Sequence, residues 1–152
     1  MAIIALILLC TGLSLASPLQ AADRQIAEQS WQLGDYIAHA NAVRTDFLTQ
    51  PVADKFEIER SKEKALITIS VQRPQESAPA EPIEVDLSVT AHRASTEAEP
   101  VMMRMHRADD VIYYLGVLPI RDGESIRFDI AVLPEPGAKT HRFSFERYFF
   151  TD

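Results

Sequence analysis

The sequence predicts an all-β chain, folded as an antiparallel β-sandwich of about seven strands with one short helix. Three observations carry this. Apolar residues recur with period two in most segments, which lines them along one face of a strand. Clusters of Pro, Gly and Asp punctuate those segments at short intervals. Only one segment has helix-start chemistry, and it is short. An immunoglobulin-like architecture is the first expectation, and a small closed barrel is the alternative.

The elements follow in chain order. Residues 1–22 carry no charged side chain. Ile3 to Leu9 is a continuous apolar run, and Ser17, Pro18, Leu19, Gln20, Ala21 and Ala22 come before Asp23 and Arg24. An apolar stretch ending in a helix breaker and small residues reads as a secretory signal peptide, cleaved near Ala21 or Ala22. It lacks a Lys or Arg ahead of the apolar run, so the amino terminus must supply the positive charge. A retained membrane anchor is the alternative, because spanning needs ~20 apolar residues and this run is barely that long. A lipid-modified cysteine fits less well. Leu9 before Cys10 is large, and Cys10 lies inside the apolar region. Residues 23–152 then form a single domain.

Within that domain, Asp35 to Arg44 is a strand candidate. Thr49 is placed to cap a helix, Pro51 suits its first turn, and Val52, Ala53 and Phe56 share one side, which predicts about two turns. Ala65, Ile67, Ile69 and Val71 alternate with Thr68 and Ser70. Gln72 to Pro82 holds three prolines and reads as a surface loop. Ile83, Val85, Leu87, Val89 and Ala91 alternate with Glu84, Asp86, Ser88 and Thr90, a half-buried strand. Met102 to Arg107 is a shorter candidate, and Asp109-Asp110 is a turn. Val111 to Leu118 is apolar almost throughout, so it predicts a strand covered on both faces near the middle of a sheet. Asp122-Gly123 marks another turn. Ile126, Phe128, Ile130 and Val132 alternate with polar residues, and Pro134, Pro136 and Gly137 end that segment. Phe143, Phe145 and Phe149 mark a C-terminal strand. Trp31 lies too early to be the core tryptophan of antibody domains, and no cysteine pair exists, so the immunoglobulin likeness is one of architecture.

The domain carries all the charge: 15 Lys and Arg against 22 Asp and Glu, a net −7. An acidic domain repels phosphate backbones, which argues against nucleic acid and against docking on anionic lipid. Cys10 is the only cysteine. After signal cleavage no thiol remains for a disulfide, a metal or a nucleophile. Stability must come from a hydrophobic core.

Several stretches resemble a known family. Gly34-Asp35-Tyr36, His39 and Asn41-Ala42 are similar to the start of a family of small exported bacterial proteins known as domain of unknown function 4426. The likeness continues through Phe47-Leu48, Pro51-Val52-Ala53, Arg60-Ser61-Lys62 and Ala65-Leu66. It resumes at Ile112-Tyr113-Tyr114 and Arg127-Phe128-Asp129. Ala40, between the histidine and the asparagine, departs from the pattern, where an aromatic residue is more usual. Glu63-Lys64 departs too, in place of a more usual Asn-Arg pair. The resemblance implies export and a β-rich domain. It implies no activity.

Candidate chemistry is sparse. His39 and Asn41 lie two apart on a strand and share a face, so they can form a polar pair at the floor of a groove. The competing reading is a buried pair satisfied by neighbouring backbone. Arg60-Ser61-Lys62 is a basic turn that can grip a carboxylate or phosphate. It can equally pair with the domain's own acids. Ser61 and Lys64 spell S-x-x-K, but the motif's helix and partner motifs are missing. Met103 and Met105 share a strand face about 7 Å apart, and thioethers suit Cu(I). Met102 and His106 point the other way, and methionine is also a common core filler. No phosphate loop, H-E-x-x-H or G-x-S-x-G is present. The expectation is a periplasmic, non-enzymatic binding module for a protein or envelope component, with no cofactor and no membrane span after cleavage. The alternative is a soft-metal, copper-binding protein.

Overall fold

The computed structural model describes residues 28–94, 96–108 and 110–152. The predicted signal peptide and Asp109 of the predicted turn lie outside the described residues. Among the described residues ten strands form: β1 (Gln29–Leu33), β2 (Tyr36–Arg44), β3 (Lys64–Arg73), β4 (Glu81–Pro82), β5 (Asp86–Arg93), β6 (Glu99–Val101), β7 (Met103–Ala108), β8 (Val111–Pro119), β9 (Glu124–Leu133) and β10 (His141–Phe149). A 3-10 turn at Thr45–Phe47 and one helix, α1 (Gln50–Lys55), separate β2 from β3. The first sheet has the order β1-β2-β3-β8-β7, with β4 also on β3, and the second has the order β10-β9-β5-β6. Every pairing is antiparallel. The two sheets face each other as a sandwich and do not close into a barrel.

The seven predicted strands are all present, and β1, β4 and β6 are additional. β1 joins β2 through a tight turn in which Gly34 takes a positive φ of 65°, conformational space that a residue with a Cβ rarely enters. The predicted strand at Ile83 starts three residues later, at Asp86. Its first part crosses from one sheet to the other. Ile83 N–H donates to the Val71 carbonyl of the first sheet at 2.9 Å. Val85 is held by the Tyr114 hydroxyl, which accepts from its N–H at 2.7 Å and donates to its carbonyl at 2.9 Å. The alternation runs through this crossing because both sheets pack on the same core.

A second crossing separates β6 from β7 at Met102, whose side chain is 84% exposed. It passes over Gly116 of β8. A Cβ there would meet Met103 Sδ at 2.5 Å and Val101 Cγ1 at 2.8 Å, so the close approach requires glycine.

The core follows the period-two pattern. Ala38, Ala40 and Ala42 of β2, Ala65, Ile67, Ile69 and Val71 of β3, Val89 and Ala91 of β5, and Ile126, Phe128, Ile130 and Val132 of β9 are all buried. The alanines of β2 are small, and rings supply volume: Trp31 stacks on Phe143 at 4.5 Å, and Phe128 lies 5.2 Å from Phe145. Thr49 takes the N-cap position of α1, but its hydroxyl makes no capping bond. Pro51 occupies the first turn as predicted.

Candidate functional site

The outer face of the first sheet carries most of the molecule's unusual features. The pairing registers define its cross-strand rows. Asn41, Thr68, Leu115 and Arg104 form one row, and Val43, Leu66 and Val117 form another. Tyr113 and His106 lie opposite each other on β8 and β7. α1 lies over part of this face. Ile58, Leu66 and Leu115 form a small second core beneath it, with Leu48, Phe56 and Tyr113 packed alongside. This cover explains the apolar outer face of β8: its inner residues Ile112, Tyr114 and Leu118 belong to the main core.

The cover is incomplete. Between α1 and β8 lies a groove of about 540 Å³. Leu66, Thr68 and Leu115 are on its floor, Leu48, Val52 and Phe56 on one wall, and Val111 and Tyr113 on the other side. Lys55 and Asp110 also line it. A smaller recess of about 310 Å³ adjoins it, sharing Lys55, Phe56 and Leu115 and adding Arg104, Met105 and His106. The His106 ring packs edge-on to Phe56 at 4.7 Å.

His39 and Asn41 do share the outer face of β2, but they have different partners. His39 Nδ1 lies 3.1 Å from the Glu28 carboxylate. Asn41 sits where β2 runs past the start of β1, since the β1 pairing begins at Gln29 opposite Ala40. Its side-chain oxygen accepts from the Ala42 N–H at 2.9 Å and from Arg147 Nη2 at 2.7 Å. Arg147 is buried, 8% exposed, and that burial pushes its guanidinium down from its ordinary value.

Arg60 and Ser61 brace the corner that carries α1. Arg60 Nη2 donates to the Asp46 carbonyl at 2.8 Å, and Nη1 reaches Gln50 Oε1 at 3.4 Å. Ser61 N–H donates to the Thr45 hydroxyl at 2.8 Å, and that hydroxyl donates to the Ser61 carbonyl at 3.1 Å. Arg60 therefore holds backbone rather than carboxylates. Lys62 is exposed. Arg44 completes the corner: it chelates Asp46 at 2.9 and 2.8 Å, donates to the Phe150 carbonyl and lies 4.5 Å from the Phe47 ring centre.

Met103 packs against the main core over Gly116, while Met105 is 47% exposed. Among the described residues no three His, Asp or Glu side chains form a metal-holding group. No helix among them is long and apolar enough to cross a membrane.

The groove-lining residues Val52, Phe56, Leu66, Tyr113 and Leu115 were not singled out as a site from sequence. The available signal was the doubly apolar β8 together with a short helix bearing Val52 and Phe56.

Comparison with curated proteins gives no match. Among solved structures, the fold is similar to FetP of uropathogenic Escherichia coli. A copper-bound variant is 11% identical with a TM-score of 0.57, covering 80% of this chain and 93% of that one. An as-isolated form is 12% identical with a TM-score of 0.56, covering 82% and 94%. At these identities the likeness is one of fold. A DUF4426 family protein from Pseudomonas aeruginosa is 27% identical with a TM-score of 0.68, covering 82% of this chain and 96% of that one. The family model for this domain of unknown function matches residues 30–152, and the chain belongs to the DUF4426 family.

Proposed function

We propose that the chain is an exported, non-enzymatic binding module, and that its groove takes an apolar segment of a periplasmic protein or envelope component. The open groove under α1 carries this reading. Apolar surface left in water forgoes about 25 cal/mol per Å² of burial, so an apolar group of a partner that fills this recess is stabilised in proportion to the area it covers. The lining is mainly aliphatic and aromatic, with a few polar groups at hand to orient a ligand. The uncharged apolar stretch at residues 1–22 supports export.

The test is a photo-crosslinking residue at Val52, on the groove wall and 39% exposed, in cells. A discrete adduct is expected. With the crosslinker kept at Val52, Val111→Glu on the other side of the groove puts a charge where an apolar partner would have to desolvate it, and weakens capture about tenfold or more. Adducts that a groove charge leaves unchanged would sink the reading.

A second reading is a soft-metal site at Met103 and Met105. It rests on their shared face and on the copper bound by FetP, a protein of similar fold. The packing of Met103 over Gly116 weighs against it. Anaerobic Cu(I) titration decides: stoichiometric binding lost in Met105→Ala would favour the metal.

A further inference from the structure

We propose that the protein self-associates through β10, whose outer edge pairs antiparallel with β10 of a second copy about a two-fold axis at Ser144. The inference is independent of the groove.

Sheet edges present unpaired backbone groups, and natural proteins keep them short, charged or interrupted by proline. Four strands here follow that rule. β4 has two residues including Pro82, β6 has three including Pro100, β1 has five, and β7 has six including Arg104 and Arg107. β10 differs in length, and its exposed charges are of opposite sign, Arg142 and Glu146, so they can pair with those of a second copy. It is nine residues long with no proline, ends its sheet, and pairs with β9 one-to-one from His141 to Phe149 with no bulge. Among the described residues no strand pairs with its other side.

The sequence around Ser144 is symmetric in its rings and opposite in charge at its two ends: Arg142, Phe143, Ser144, Phe145, Glu146. With a two-fold axis at Ser144, Arg142 faces the partner's Glu146 and Glu146 faces the partner's Arg142. Opposite charges directly across an antiparallel pair attract, and like charges repel. Both side chains are exposed on the outer face, as is Ser144. On the inner face Phe143 comes opposite the partner's Phe145. Phe143 is only half-buried beside Trp31, so a second copy covers apolar surface already anchored in the core. An isologous contact of this kind closes on itself as a dimer and leaves no further β10 edge to extend. The far end of β10 is tied to the first sheet by Arg147 on Asn41 and by Arg44 on the Phe150 carbonyl, so the stretch from Arg142 to Glu146, symmetric about Ser144, supplies the contact.

Sedimentation velocity of the mature chain tests this with a charge swap. The wild type is expected to be a dimer at roughly 0.1 mM, a modest affinity for a short strand contact. Arg142→Glu or Glu146→Arg alone places like charges across both symmetric pairs and weakens the dimer about tenfold or more. The double variant restores it. Ser144→Cys on the two-fold axis oxidises to a covalent dimer, because facing Cα atoms in such a pair lie about 4.5–5.5 Å apart. A monomeric wild type overturns the proposal. So does a dimer that both single swaps leave intact and that Ser144→Cys fails to crosslink.

Discussion

Two polar residues tie the sandwich together at the scale of single side chains. Tyr114 reaches from β8 to both backbone groups of Val85, across the gap between sheets. Removing its hydroxyl in Tyr114→Phe strands a buried N–H and carbonyl, and should cost about 1–3 kcal/mol by denaturant unfolding. Desolvation pushes the Tyr114 phenol up from its ordinary value, ahead of the opposing Val85 hydrogen bond. The folded state therefore holds this proton more tightly than the unfolded state. Its contribution is whole below a pH of ~10, where an unfolded tyrosine ionises, and is lost as pH rises from there through the raised folded value. The alkaline loss of stability should be shallower in Tyr114→Phe. Arg147 is the second tie. It is a buried cation on β10 whose Nη2 reaches the Asn41 side-chain oxygen on β2 at 2.7 Å. Arg147→Ala should destabilise by about 2 kcal/mol, and a double-mutant cycle with Asn41→Ala should show coupling of at least ~0.5 kcal/mol. A coupling near zero would mean that the Asn41 contact contributes nothing.

The elements were read from local pattern, and their boundaries were moved by crossings between sheets. Met102 was expected on a strand with Met103 and His106. It stands instead at the step from β6 to β7, because Gly116 lets that step pass close over β8. Nothing near Gly116 in the sequence announces this, since the contact joins segments far apart in the chain. Gly116→Ala forces a Cβ to within 2.5 Å of Met103 Sδ, and overpacking of this kind should lower stability by about 1–3 kcal/mol in thermal or urea unfolding. Met103→Ala in the same background should recover part of that loss by making room. The helix was legible as a helix, with its proline in the first turn, but its role as a groove wall was not. That role depends on Arg60 and Ser61 fastening the corner to Asp46 and Thr45.

At the scale of the whole molecule, the sandwich is held by one apolar core between two sheets and a small second core under α1. A single cysteine in the whole chain makes an intramolecular disulfide impossible, so burial carries the stability. Export remains the central premise of the proposed function, and it has a direct check. Protein recovered from the periplasm should have the intact mass of a chain beginning at Ala22 or Asp23. A mass that retains residues 1–22 would favour the anchor instead.

Which residues become strands was set by the sequence itself, because a period of two is a property of neighbours and survives wherever one face is buried. Family membership was legible for the same reason: short runs such as Arg60-Ser61-Lys62 and Ile112-Tyr113-Tyr114 stand in order along the chain. Tertiary structure alone decided which sheet each strand joined, where the chain crossed at residues 83–85 and at Met102, and that Arg147 would be buried against Asn41. It also left a groove between α1 and β8. These outcomes depend on contacts between segments distant in sequence, and the alternation of apolar residues is identical on either side of a shared core.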